Sequence, residues 1–282
     1  MPRVKRSLQL LCSVTHTVGG IDNVANIIVN SLFNEELNEI GLVRSKGLEW
    51  YKLIDSIAYV NVLVRKAGPM LSVYAAARSL LSPLEDSYAG METVDNMHFQ
   101  RLMSNGMTVD QIFLEHLYYI ENDEDALLKM KALAHEMIEP VKPVLFGVCD
   151  LQSCYDAENK LAYMNCFYTS SKLLGRPFTL DETTVFPPLD CFFILCKQGR
   201  YDEAADYFRR GLANYERKYA DPNLPDLVEN VWGKWMPYVR MVENGEYEKL
   251  NGIMLKSYND NCDLLEAKHK IKIDRTGFAN CK

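Results

Sequence analysis

Apolar positions along much of the chain recur at spacings of three and four residues, which is the period of an amphipathic helix. The clearest case lies in residues 187–222, where the apolar run Phe192–Leu195 ends shortly before Gly199. A second run follows, with apolar positions at Ala204, Ala205, Phe208 and Leu212. This pattern predicts two antiparallel helices joined by a glycine turn.

Similar patterns elsewhere predict further helices and turns. One helix is predicted after Gly47, and another from Pro69 to Leu81, with a turn at Gly68 between them. We identify no segment with sustained apolar and polar alternation, so no strand is predicted. The expected fold is therefore all-α, an α-solenoid of stacked helical hairpins. Its main turns are predicted near Gly68, Asn122, Gly199 and Gly245.

The segment 187–222 resembles one unit of the pentatricopeptide or tetratricopeptide repeat family. The resemblance rests on the turn Lys197–Arg200 and on the small residue that follows Glu203. A weaker copy covers residues 58–81, and the turn Gln198–Tyr201 recurs as Asn244–Tyr247. The spacing of these turns exceeds the pentatricopeptide period of about 35 residues, so the repeats are interpreted as degenerate. The resemblance implies an extended surface for large partners, and many members of these families work in mitochondria.

Composition divides the chain into four predicted segments. They are a basic N-terminal segment (1–20), an N-terminal helical-hairpin half (21–175), a C-terminal half with the best repeat match (176–261) and a basic tail (262–282). Residues 1–20 are basic, rich in hydroxyl groups and free of acidic residues, which is typical of a mitochondrial targeting segment. A basic tail without a targeting role is the alternative, and the localisation is then cytoplasmic.

Charge and cysteine usage narrow the classes of function. The net charge of −7 argues against nucleic acid as the main partner, because phosphate contacts require a basic face. One compact basic patch is nevertheless predicted to contact RNA or an acidic partner, and its residues are Lys268, Lys270, Lys272 and Arg275. A solvated tail is the alternative reading of this patch. The eight cysteines form no Cys-x-x-Cys pair, and with no glycosylation motif present the chain is not predicted to be secreted.

Motifs that would carry chemistry are not found. The sequence contains no glycine-rich phosphate loop, no His-x-x-x-His spacing and no Gly-x-Ser-x-Gly motif. No apolar run approaches the roughly 20 residues of a membrane-spanning helix. Cys191 and Cys196 fall in an apolar helix, where buried free thiols are expected rather than metal ligands. No catalytic residue, cofactor or metal is therefore predicted.

Together these observations predict a non-catalytic helical-repeat scaffold subunit of a larger, mitochondrial assembly, such as the ribosome or a respiratory complex. Its partners would be protein subunits, and RNA is the second choice. The proposed partner-binding residues are the tyrosines on or beside the second helix of the hairpin, Tyr201, Tyr207, Tyr215 and Tyr219. The alternative function is a pentatricopeptide-type RNA-binding factor in organelle RNA metabolism. An enzyme is not predicted.

Overall fold

The computed structural model describes residues 33–45, 47–67, 70–83, 92–95, 135, 138–139, 141–161, 190–219, 233 and 235–281. Side chains are described in these ranges except at 65–67, 70–72, 74, 92–95 and 214–219. The described residues belong to two compact units that are interleaved along the chain. The first unit comprises the described residues within Met1–Trp50, Val62–Tyr74 and Asp95–Lys142. The second comprises those within Tyr51–Asn61, Ala75–Val94 and Pro143–Lys282. The predicted segment boundaries stay a prediction.

Five strands of the described chain form one sheet. They are β1 (Val43–Arg44), β2 (Glu49–Ile54), β3 (Ala58–Ala67), β4 (Met70–Ser79) and β5 (Glu92–Asp95). Their order in the sheet is their order in the sequence. Residues 45–48, 55–57 and 68–69 connect the first four strands, and connections this short join antiparallel neighbours. Strands β2, β3 and β4 contribute residues to both units.

Valines at alternate positions account for β3. Val60, Val62 and Val64 are buried, whereas Asn61 and Leu63 between them are partly exposed. This is the period of a strand, and β-branched side chains fit a pleated sheet well.

The turn between β2 and β3 has an unusual backbone. Asp55 and Ser56 both have left-handed conformations, with φ of 46° and 56°. The N–H of Ile57 donates to the carbonyl of Ile54 at 2.9 Å across them. Two successive left-handed residues form the tight turn that matches the twist of two neighbouring strands.

The predicted all-α solenoid is therefore wrong, because the protein is a mixed α/β protein. The helix predicted after Gly47 is β2 and β3, and the helix predicted for residues 69–81 is β4. The turns predicted at Gly68 and Asn122 both lie outside the described residues, and the elements on either side of Gly68 are the strands β3 and β4 in place of the two predicted helices. The assignment to a pentatricopeptide or tetratricopeptide repeat family is wrong for the same reason, because such families contain helices alone.

Helices form the rest of the described chain. They are α1 (33–39), α2 (Lys142–Phe146), α3 (151–161), α4 (Asp190–Lys197), α5 (Tyr201–Tyr219), α6 (Met236–Glu243), α7 (Tyr247–His269) and α8 (Gly277–Asn280). Helix α4 is buried along its whole middle, Cys191–Cys196, so it is a central helix of the second unit. None of the described helices combines the length and the apolar character that crossing a bilayer needs.

Two helical hairpins follow the predicted design. Gly199 ends α4 and Gly245 follows α6, with φ of 73° and 71°. After each glycine the chain turns back, so that Arg200 N–H donates to the carbonyl of Leu195 at 2.9 Å. The Gly199 N–H also donates to the carbonyl of Cys196, and the two bonds at Gly245 are equivalent. Two such bonds around one left-handed glycine form a Schellman motif. The helix ends predicted at these two glycines are confirmed.

In the first unit, α1 packs on the start of β2. The rings of Phe33 and Trp50 lie 6.2 Å apart, and Trp50 Nε1 donates to Asn34 Oδ1 at 2.8 Å. Both rings are fully buried, and the indole N–H has the partner that a buried polar group needs. Lys142 Nζ contacts Glu36 and Glu39 at 2.5 and 2.6 Å, which ties the start of α2 to α1.

In the second unit, α7 and α8 pack against residues of the sheet. Asn261 Nδ2 donates to the carbonyls of Leu80 and Ser82, at 3.0 and 2.8 Å. The ring of His269 stacks on Tyr51 with centroids 3.7 Å apart. Gly277 approaches the β2–β3 turn so closely that a Cβ there would lie 2.7 Å from the carbonyl oxygen of Asp55.

Candidate partner-binding groove

A surface groove of about 440 Å³ opens on the second unit. Six side chains from α3, α4 and α5 line it, and they are Tyr155, Leu195, Glu203, Asp206, Arg209 and Arg210. We call the space between these residues the partner-binding groove.

The sequence of α5 explains why the groove has a charged side. Glu203, Asp206 and Arg210 occur at spacings of three, four and seven, and Arg209 follows Asp206 by three positions, which places all four on one face of the helix. On the opposite face, Ala204, Ala205 and Phe208 are buried. Tyr155 is partly exposed on α3, whereas Leu195 of α4 is almost fully buried and contributes little surface.

Ion pairs hold most of the charges in the groove. Arg200 binds Glu203 with two nitrogens, at 3.0 and 2.7 Å, and this contact lowers the pKa of Glu203. The remaining donor of the same guanidinium reaches the side-chain oxygens of Gln152 and Gln198. Arg200 thereby fixes the first turn of α5 against α3, because a planar guanidinium bound on several sides has little freedom to rotate.

A second ion pair bridges two helices. Arg209 binds Asp206 on its own helix at 3.0 Å and Glu243 of α6 at 2.7 Å. Both partners are largely exposed, so the contribution of this network to stability is small. Its effect is geometric, since it sets the position of the Arg209 and Asp206 side chains at the edge of the groove.

Arg210 differs from the other three charged lining residues. Its Nε donates to the backbone carbonyl of Asp206 at 3.4 Å. Within the part of the chain that the structure describes, no carboxylate pairs with its guanidinium. The charge of Arg210 acts on Tyr155 and favours the phenolate, but burial has the larger effect and raises the pKa of Tyr155. Tyr155 is therefore a neutral phenol at physiological pH.

The second unit also contains a buried polar cluster from α3, α4 and the end of β4. The thiol of Cys191 donates to Glu158 Oε2 at 3.3 Å, and the thiol of Cys154 lies 4.0 Å from Oε1. Asp190 accepts hydrogen bonds from the N–H and the hydroxyl of Ser79, at 2.7 and 2.9 Å. These contacts link α3, α4 and the end of β4.

Burial raises the pKa values of three ionisable groups in this cluster. Burial raises the pKa of Glu158 well above its ordinary value, and the neighbouring charge of Asp190 raises it further. Both effects favour the neutral, protonated form of the Glu158 carboxyl. Burial likewise raises the pKa of the Cys154 and Cys191 thiols well above the usual range. Neither thiol supplies a thiolate, which is the reactive form of cysteine.

One atom of the cluster has no hydrogen bond. Arg78 of β4 places its charge near Glu158, where it opposes the rise in the pKa of that carboxyl. Its buried Nε finds no hydrogen-bond partner among the described residues. Such an orphaned donor costs free energy.

Two of the tyrosines predicted to bind a partner, Tyr201 and Tyr207, have described side chains, and neither lines the groove. Tyr201 stacks on Tyr247 with centroids 3.9 Å apart, and each tyrosine follows a hairpin glycine by two positions. Tyr207 is buried and its hydroxyl donates to Asn159 Oδ1 at 2.6 Å, so its ring packs within the unit. Helix α5 includes Tyr215 and Tyr219, but their side chains lie outside the described residues.

The predicted basic patch lies at the C-terminal end of α7. Lys268, Lys270 and Lys272 are exposed, and Lys270 has a left-handed backbone with φ of 56°. Arg275 is ion-paired to Asp263 and Glu266, at 2.8 and 2.9 Å. The three lysines are therefore available at the surface near the end of α7, while the arginine is already neutralised.

Sequence reasoning did not find the groove. The charged face of α5 is visible in the sequence once that helix is predicted, and it was the available signal. Tyr155 gave no comparable signal, because its place beside α5 depends on how α3 packs. In the part of the chain that the structure describes, no three His, Cys, Asp or Glu side chains are grouped so as to hold a metal ion.

The comparisons with known proteins identify no relative of this chain. No protein-family model, no curated protein and no solved structure matches this chain.

Proposed function

We propose that the chain is a non-catalytic subunit of a larger assembly and that it contacts a protein partner through the partner-binding groove. The observation that carries the proposal is the lining of the groove. Tyrosine and arginine are the residue types enriched at protein interfaces, and here Tyr155, Arg209 and Arg210 meet at one surface depression.

Preorganisation of the lining supports a binding role. Arg200 and Arg209 are each held by two or more side-chain partners before any ligand arrives. Ordering interface side chains on association costs roughly 0.5–1.5 kcal/mol for each long side chain. A lining that is already ordered avoids most of that cost.

The buried cluster supports binding over turnover. Glu158, Cys154 and Cys191 are residues of the second unit whose side chains could in principle carry acid–base or nucleophilic chemistry. All three are buried, and burial raises the pKa of each above its ordinary value. The cluster thus joins α3, α4 and β4 as a structural network.

The compartment we propose is the mitochondrion, on the evidence of the basic segment 1–20. A C-terminal fluorescent fusion should reach mitochondria, and deletion of residues 1–20 should abolish that localisation. A cytosolic signal from the intact fusion would contradict the proposed compartment and leave the binding role to be tested by itself.

Size-exclusion chromatography of a native extract tests the binding role. The protein should elute far above its own mass of 32.3 kDa, and Tyr155→Ala should shift it towards the monomer position. Tyr247→Ala is the matched control, because Tyr247 is also a partly exposed tyrosine but lies outside the groove. A monomeric wild-type protein under mild salt would overturn the proposed function. Release by Tyr247→Ala alone would assign the contact to the predicted tyrosine surface instead.

A further inference from the structure

We infer that the partner-binding groove takes an acidic segment of a protein partner and that Arg210 is the residue that anchors its carboxylate. This inference rests on the proposed function and names the chemistry of the partner. It comes from the contacts of each charged side chain in and beside the groove.

The two acidic lining residues are already occupied. Glu203 is bound by two nitrogens of Arg200, and Asp206 is bound by Arg209. An incoming cation would therefore have to displace an existing ion pair. Arg209 is occupied on both sides, since it also binds Glu243 of α6.

Arg210 is the charged lining residue that has no ionic partner among the described residues. Its single described hydrogen bond joins Nε to a backbone carbonyl, and no described residue binds its two terminal nitrogens. A guanidinium with a free edge is suited to bidentate binding of a carboxylate. An anionic side chain can therefore pair with Arg210 without displacing an ion pair that is already formed.

Tyr155 adds an apolar contact and a hydroxyl donor beside that charge. Its phenol is neutral because burial raises its pKa, and a neutral phenol can donate to a carboxylate. The ring is partly exposed and offers a flat surface to an apolar neighbour of the acidic residue. The groove thus fits a segment in which acidic and apolar residues stand next to each other.

The acidic residues of α5 orient such a segment. Glu203 lies two helical turns before Arg210, which is about 10 Å along the axis. Like charges in close approach are unfavourable, so the acidic side chain of the partner lies at the Arg210 end. The Glu203 end accepts a neutral or apolar part of the same segment.

Fluorescence polarisation with a synthetic peptide tests the inference on the full chain. The probe is a labelled, capped peptide that alternates Glu with Phe and Leu, and its control has Gln in place of each Glu. We expect the Glu peptide to bind, the Gln peptide to bind at least about tenfold more weakly, and added salt to weaken the binding. Equal binding of the two peptides, or no binding, would overturn the inference.

Matched arginine variants locate the contact. Arg210→Glu should abolish binding of the Glu peptide, and Arg210→Lys should weaken it several-fold because lysine cannot bind in a bidentate manner. Arg240→Glu is the control, since Arg240 is an exposed arginine of the same unit on α6, outside the groove. Equal loss in Arg210→Glu and Arg240→Glu would show a general charge effect and contradict the assignment of Arg210. Circular dichroism verifies that each variant is folded.

The native extract separates this inference from the proposed function. If the wild-type protein is in a large assembly and Arg210→Glu stays in it, the subunit role stands and the acidic partner at Arg210 is wrong. If the wild-type protein is monomeric, the subunit role itself is wrong. Release of Arg210→Glu, but not of Arg240→Glu, together with selective binding of the Glu peptide, supports both.

Discussion

Replacing Gly199 or Gly245 with alanine should lower the free energy of unfolding by about 1 kcal/mol each. Both glycines have left-handed backbones, with φ of 73° and 71°, where a Cβ crowds the following carbonyl. A Cβ at either position would meet no other atom within 4 Å. The whole cost therefore comes from the backbone conformation, and no repacking can reduce it.

Gly252 provides the opposite expectation within the same unit. It lies inside α7, and a Cβ there would also meet nothing within 4 Å. Alanine should therefore stabilise the protein by roughly 0.5–1 kcal/mol, because glycine in a helix interior loses more conformational freedom on folding. The three variants remove the same hydrogen and add the same methyl group, so they differ only in backbone conformation.

Urea unfolding followed by far-UV circular dichroism measures the difference. For a chain of this size, 1 kcal/mol corresponds to roughly 2–4 °C in Tm, so a thermal scan gives an independent reading. The order of stability should be Gly252→Ala, wild type, then Gly199→Ala and Gly245→Ala. If Gly199→Ala is as stable as Gly252→Ala, the left-handed turn assigned to Gly199 is wrong.

Three further variants test the interior of the second unit. The folded state raises the pKa of Glu158, so the wild type should lose stability as the pH rises above 4.5. Glu158→Gln cannot ionise at this position and should flatten that pH dependence. An equal fall in stability for Glu158→Gln would contradict the raised pKa of Glu158. Tyr207→Phe should cost about 1–2 kcal/mol in urea unfolding, because it leaves Asn159 without its donor, and it should leave binding of the Glu peptide unchanged. Asn261→Ala should cost about 2–4 kcal/mol, because two buried carbonyls lose their donor, and a loss below that of Tyr207→Phe would contradict its role in holding α7.

The helical hairpins could be predicted because their signals are local. A left-handed glycine after an apolar helix leaves a recognisable mark in a few consecutive residues, and Gly199 and Gly245 both carry it. The same hairpins made the repeat family attractive, although a helix–glycine–helix unit is common to many folds.

The strands were missed because two periods overlap in one stretch. Trp50, Ile54 and Ile57 follow helical spacing, yet they belong to β2 and the turn after it. The alternating valines of β3 were the evidence for a strand and should have outweighed that spacing. In β4, three consecutive alanines, Ala75–Ala77, favour a helix intrinsically, and pairing with β3 overrides that preference.

The candidate site, too, could be predicted only in part from the sequence. The face of α5 that carries Glu203 and Arg210 follows from helical register alone. That Arg210 is left uncompensated depends on which arginine meets Glu243 of α6, and that pairing is set by tertiary packing. Sequence alone therefore predicts a charged face but not the sign of the charge that remains available.

The stack of His269 on Tyr51 has a consequence for synthesis of the chain. Tyr59 and His269 are hydrogen-bonded although they stand 210 positions apart. At a translation rate of about 5–20 residues per second, Tyr51 of β2 and Tyr59 of β3 are synthesised roughly 10–40 s before the end of α7 that covers them. During that interval the nascent chain presents unprotected strand residues to its neighbours. Sustained chaperone occupancy of these ribosomes, released only after residue 269 emerges, is the expected cellular signature of this long-range closure.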